Sequence, residues 1–287
     1  TFNLNSQIAE NIILNDGTIT LGRRVEFLEE NMFTDSGTID LSSFVIDLGA
    51  KESSLTSSLY WDASGGGGLS LNADIDLSGT WTFSADAVIF GNNHEIDLNR
   101  LGVIAVERGA QLELHDIIVK GVDGFNLKCL DDESVIKMQN MTLDLSNNFT
   151  FTTGKIVISN NVDITGGYIF NYESAKTSTI LNQSTLTIKE DTTLAIGKAK
   201  ESAEQPLGFE NGRSKLLISD ATLNITGTGA RFTDGKFGFE QKSYLDIDNT
   251  QTTYGLILGD GTAANDQETT IHSGGDVRLQ NGSLVYN

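Results

Sequence analysis

The chain has three histidines, one cysteine and 39 acidic residues with which to do chemistry. A general base needs a partner within hydrogen-bond reach. His94, His115 and His272 stand far apart and carry no partner motif, so each reads as a surface or corner residue. The densest acid cluster is Asp131-Asp132-Glu133. Glycoside hydrolysis needs two carboxylates flanking one bond, but this cluster falls between strand-like segments and reads as a solvated turn. Asp74 and Asp76 alternate with Ile75 and Leu77, and Asp246 and Asp248 with Leu245 and Ile247, which places these acids on outward faces. Cys129 follows Phe125 and Leu127 in strand phase and reads as a buried thiol rather than a nucleophile. A lone cysteine allows no internal disulfide. The sequence has no CxxC, Gly-x-Ser-x-Gly elbow, P-loop, EF-hand loop or Gly-Gly-x-Gly-x-Asp nonapeptide. No catalytic residue, metal ligand or cofactor is assigned, and the chain is read as non-enzymatic.

The longest interruption of pattern runs from Gly197 to Arg213 and holds the only proline, Pro206. Long loops on a rigid scaffold often carry binding. Pro206, Phe209 and Arg213 are therefore the candidate ligand contacts, a glycan being the ligand in view. A tolerated surface insertion is the other reading and the favoured one. Trp61, Trp81 and several tyrosines could stack on sugar rings, but packing against the side of the column is the stronger expectation. Five Asn-x-Ser/Thr sequons, at Asn140, Asn148, Asn182, Asn224 and Asn281, are close to chance in so Asn-, Ser- and Thr-rich a chain.

The formal charge is −20. A phosphate backbone would be repelled, which excludes nucleic acid as a partner, and anionic membranes on the same ground. No apolar run approaches the roughly 18 residues that span a bilayer, so no transmembrane segment is expected. Only 38% of residues are hydrophobic, and 30 are glycine. Such a composition suits a narrow core column with most of each coil facing water. Disorder is rejected, because apolar residues alternate cleanly, as in Leu69, Leu71, Ile75 and Leu77.

The elements that must position these residues come from a repeated phrase: apolar, any, apolar, any, then Asp, Asn or Glu. It begins at Leu112, Ile136, Ile156, Leu186, Leu216 and Leu245, with spacings of 24, 20, 30, 30 and 29 residues. Repeats of about 20 to 50 residues mark solenoids, propellers or arrays. Here the unit is strand plus turn, so the first apolar positions are expected to stack in successive inward layers. A second inward file would hold Leu114, Met138, Ile158, Ile188, Ile218 and Ile247. The polar file Asp116, Asn140, Asn160, Glu190, Asp220 and Asn249 falls at corners, where Asn and Asp tolerate left-handed backbone.

The phrase Ile89-Phe-Gly-Asn-Asn-His94-Glu-Ile96-Asp-Leu98 resembles a coil of the right-handed parallel β-helix family, the pectate-lyase-like superfamily. The resemblance covers roughly residues 69–287 and concerns the fold. The Asn-Thr-Asp, Asp-Asp, His-Gly and Arg-Ile-Lys set of the polygalacturonase relatives is missing. The expected fold is all-β, a single-stranded parallel β-helix or β-solenoid. Right-handedness comes by that analogy and by the usual crossover preference. About 10–12 coils at ~4.8 Å would make a rod on the order of 50–60 Å.

Residues 1–68 are expected to form N-terminal coils, with a short helix or excursion over 25–32, and residues 69–287 the main β-helix. Gly65–Gly68 reads as a loop within one solenoid. Thr1 in place of Met reads as a removed signal peptide or a piece of a longer protein. Strand-like alternation at both ends points to self-assembly through Phe2 and Leu4 at one end and Leu279, Leu284 and Tyr286 at the other. The functional expectation is an extracellular, secreted or cell-surface structural protein. It would be a homo-oligomer or polymer forming a fibre, appendage or surface layer, or an adhesin-like segment. A polysaccharide-active enzyme and a carbohydrate-binding module remain the alternatives.

Overall fold

A computed structural model describes residues 58–98, 101–196, 206–226, 234–240 and 242–247. It also describes shorter strands at 7–8, 12–13, 18–20, 25–27, 33–34, 37–41, 45–48, 53–55, 230–232, 256–258, 268–271 and 284–286. These residues form an all-β parallel β-solenoid of about 8 turns, without helix. The ten to twelve coils expected from the sequence are a count for the whole chain. Backbone contacts cluster into two units, Thr1–Met141 and Thr142–Asn287.

In the first unit each turn is built from three short strands, and each strand pairs in parallel with its counterpart one turn on. One file runs through Val45–Leu48, Gly68–Leu71, Ala87–Phe90 and Gln111–His115 to the start of Val135–Phe151. A second runs through Ser53–Leu55, Ile75–Leu77, Glu95–Asp97 and Ile118–Gly124. The third runs through Gly37–Asp40, Leu59–Asp62, Thr80–Phe83, Val103–Val106 and Leu127–Cys129. Gly68–Leu71 pairs on both sides, so glycines 65–67 form a loop inside this unit that leads into the strand. Val25–Phe27, placed by the sequence in a short helix or excursion, is a strand paired with Gln7–Ile8 and Val45–Leu48. Period-two alternation of Val25 and Phe27 satisfies a ladder that the wider helical spacing does not. Residues 28–32 lie outside the described residues.

The second unit keeps the three-strand turn. Lys155–Thr165 pairs through its later half with Thr185–Ile188, which pairs with Lys215–Ile218, then Lys236–Phe239, then Glu268–Ile271. Ile169–Tyr172, Thr193–Ile196, Thr222–Ile225 and Tyr244–Ile247 form another file. Every residue named for the two inward files is buried, from Leu112 and Leu114 to Leu245 and Ile247. Their stacking differs from the expectation in two places. Ile164 stacks on Ile188, whereas Ile158 faces Ile180. Ile247 stacks on Ile225, whereas Ile218 faces Phe239. The reason is that strands of different faces share the same apolar alternation, because each must bury one side in the same column.

The polar corner file has the expected backbone. Asp116, Asn140, Asn160, Glu190 and Asp220 lie at φ of 50°, 49°, 56°, 58° and 50°. Asn249 lies outside the described residues. A second corner was not anticipated. Ser134, Ser184, Ser214 and Ser243 are each at most 1% exposed and close a turn onto the residue three before. Three of the hydroxyls then reach back one turn. Ser134 Oγ lies 2.5 Å from the Glu107 carbonyl, Ser214 Oγ 2.9 Å from Leu181 O, and Ser243 Oγ 2.6 Å from Ile218 O. A buried hydroxyl needs such a partner, and here the partner stitches coil to coil. Outward charges do likewise: Lys137 Nζ meets Glu113 at 2.9 Å and Lys189 Nζ meets Asp163 at 2.6 Å.

Among the described residues no helix is long and apolar enough to cross a membrane.

Candidate functional site

The third file of the first unit has an unusual outward face. Register sets Thr38, Tyr60, Thr82, Ala105 and Lys128 in one row. The alternating inward positions hold Trp61, Trp81 and Phe83, all 0% exposed. Trp61 meets Trp81 edge to face at 5.5 Å and stacks on Phe83 at 6.4 Å. Both tryptophans are core, as expected, and they form a stiff floor under the outward row.

Tyr60 donates its phenol hydrogen to Glu107 Oε2. Glu107 follows the strand Val103–Val106, which lies two turns from the strand carrying Tyr60. At about 4.8 Å per turn, the side chain reaches this far only by lying down along the face. Ala105 belongs to the same row yet is only 2% exposed. Burial and the hydrogen bond with Glu107 push the Tyr60 phenol above its ordinary value of 10.0. An open groove of about 430 Å³ runs beside Tyr60, with Thr38, Ser58, Thr80 and Thr82 on its walls. Ser58 Oγ accepts from the Thr80 N–H at 3.2 Å, which fixes that wall. Asp40 and Asp62 stack in register on the same face, and Asp62 Oδ1 accepts the Ser64 N–H at 3.0 Å.

A second groove, of about 460 Å³, lies at the neighbouring corner between Ser64, Asp86 and Arg108. Arg108 Nε stands 3.6 Å from Asp131 Oδ2. Asp131 is the anchor of its turn, as the solvated-turn reading implied. Slight burial works to raise its pKa, but hydrogen bonds from Ser134 Oγ and the Glu133, Ser134 and Gly109 N–H groups outweigh it. They hold Asp131 below its ordinary value of 3.8.

The histidines find carboxylates. His94 Nδ1 lies 3.1 Å from Asp74 Oδ1, and His115 Nδ1 lies 2.9 Å from Asp116 Oδ2. Asp74 Oδ1 also accepts the Glu95 N–H at 3.0 Å, so it closes a corner. His272 lies outside the described residues. Cys129 is buried in the column, stacked on Val106. Among the described residues no group of three or more His, Cys, Asp and Glu side chains could hold a metal ion.

The candidate loop is only partly described. Pro206 is buried, and its carbonyl accepts the Ser178 N–H at 3.0 Å. Phe209 pairs with Ile180 and its ring packs against Phe232 at 5.6 Å and Phe237 at 5.4 Å. Arg213 is exposed in the turn that Ser214 closes. The structure thus sets these three residues in different surroundings and gives Phe209 a packing role. Phe2, Leu4 and Leu279 lie outside the described residues. Leu284–Tyr286 is a strand paired in parallel with Leu256–Leu258.

The sequence reading weighed the tyrosines only in general and singled out neither Tyr60 nor Glu107, which are 47 residues apart. The available signal was the regular recurrence of Thr38, Tyr60 and Thr82, one per turn. Comparison with family models, curated proteins and solved structures found no match.

Proposed function

We propose that this chain is a structural β-solenoid of an extracellular or cell-surface assembly, one that self-associates by adding coil to coil. The observation that carries the reading is the one-to-one parallel register between turns. Leu186 faces Leu216, Ile188 faces Ile218 and Leu256 faces Leu284. Each coil offers the next the same row of N–H and C=O groups, with apolar side chains on one side and polar ones on the other. A coil from a second copy would meet the same template, as strand addition requires. Inter-turn serine and lysine links favour a rigid scaffold of this kind.

In this reading Phe2 and Leu4 meet Leu279, Leu284 and Tyr286 of another copy. Sedimentation velocity and negative-stain imaging over a concentration series test it. Concentration-dependent polymers are expected, and Val285→Pro, which removes a ladder donor, is expected to suppress them. A monodisperse monomer throughout the series would sink the proposal. The reading also makes the chain a non-enzyme. Product release from acidic polysaccharides, with or without calcium, would overturn that part. A glycan-binding role has one observation in its favour, the open groove beside Tyr60.

A further inference from the structure

The Tyr60 face has features that the scaffold alone does not require. Outward strand positions elsewhere carry inter-turn charge pairs such as Glu113–Lys137. Here the row Thr38, Tyr60, Thr82 carries hydroxyls and one aromatic ring, over a span of three consecutive strands. The ring lines the groove and its hydroxyl is tied to Glu107. A half-exposed aromatic ring among threonine and serine hydroxyls suits a pyranose ring, which has an apolar face and an equatorial rim of donors and acceptors.

Charge narrows the choice. Asp40, Asp62 and Glu107 share the face with the groove, and Lys128 sits at the far end of the row, beyond Ala105. The local excess is negative, as is the whole chain at −20. Acidic polysaccharides would be repelled, and an ammonium group would be attracted.

We propose that this face binds a glycan with free amino groups, an amino-hexose chain laid across the strands with one ring on Tyr60. The hydroxyls of Thr38, Ser58, Thr80 and Thr82 would take the sugar hydroxyls, and the carboxylates would take the ammonium groups. An arginine-rich peptide would use the carboxylates but leave the hydroxyl walls unpaired. The inference stands apart from self-association.

Titration calorimetry of the full chain tests it with five probes. These are a β-1,4 glucosamine tetramer, its N-acetylated form, a neutral glucose tetramer, a galacturonate tetramer and tetra-arginine. The glucosamine tetramer is expected to bind at least about tenfold more tightly than the other four. Tyr60→Ala leaves the net charge unchanged and is expected to weaken that binding about tenfold or more. Thr38→Arg, which fills the groove from a half-exposed position, should abolish binding and keeps the test decisive if Tyr60→Ala does not fold. Absence of glucosamine-tetramer binding, equal binding by the substituted chains, or equal binding of any other probe overturns the proposal.

Discussion

Gly235 lies against the ring of Phe209: a Cβ placed on Gly235 would fall 2.2 Å from Phe209 Cγ. Gly235 also has a φ of 82°, a region that L side chains avoid. The close approach, with the ring contacts to Phe232 and Phe237, assigns Phe209 to packing between turns. Gly235→Ala should cost about 2 kcal/mol or more, from left-handed strain plus the clash. Phe209→Ala should cost about 2 kcal/mol, less than a fully buried ring would. Urea unfolding of each variant reads both values. Unchanged midpoints would return Phe209 to the list of candidate ligand contacts.

Ile188 and Lys189 give the sharpest test of strand phase. Ile188 is 0% exposed and stacked between Ile164 and Ile218. Ile188→Asp should cost at least about 3 kcal/mol, because an unpaired charge enters the column. Lys189→Ala loses only the half-exposed link to Asp163 and should cost about 0.2–1 kcal/mol. Equal costs in chemical denaturation would contradict the phase.

The polar corners make a prediction about backbone rather than side chain. Asn160 sits at φ 56°. Asn160→Gly should alter stability by less than about 1 kcal/mol, whereas Asn160→Val should cost about 1–2 kcal/mol from left-handed strain. Thermal melts of the pair check the ordering.

Asp131 predicts a feature of the acid limb. Its folded pKa is lowered below 3.8, so its contribution is present above the unfolded value and is lost as pH falls through the folded one. Asp131→Asn should therefore melt lower than the parent near neutrality, and the difference should shrink below roughly pH 4. A difference that stays constant into acid would mean the carboxylate is not the stabilising group.

Tyr60 predicts the opposite limb. Its pKa is raised above 10.0, so its contribution is present below the unfolded value and is lost as pH rises through the folded one. Spectrophotometric titration should show one phenol ionising late, and Tyr60→Phe should remove it. A titration unaltered by that substitution would contradict the Glu107 hydrogen bond.

The column and the left-handed corners could be read from the chain because they are local. Leu112 and Leu114 alternate, and Asp116 follows at once. The serine corner was visible too, since Ser134, Ser184, Ser214 and Ser243 each stand two residues before Ile136, Leu186, Leu216 and Leu245. It was missed because serine carries no apolar periodicity. What could not be read was which strand lies on which. Ile158 and Ile164 carry the same alternation, yet they face Ile180 and Ile188. The Tyr60–Glu107 bond depends on that register and on nothing local, so no short motif announces it.

One-to-one register also has a consequence for how such a chain can change length. Ala87 stands where Leu112 stands one turn later, and Trp81 faces Ile104, which faces Leu127. Excising residues 87–111 would bring Leu69 opposite Leu114 and Trp81 opposite Leu127, partners of the same kind as those removed. A gene encoding this ladder can thus lose or duplicate a whole turn and keep the strands in register, whereas a cut that does not match the length of the turn it enters shifts the side chains beyond it. Length here is adjustable in discrete steps, like links in a watch strap.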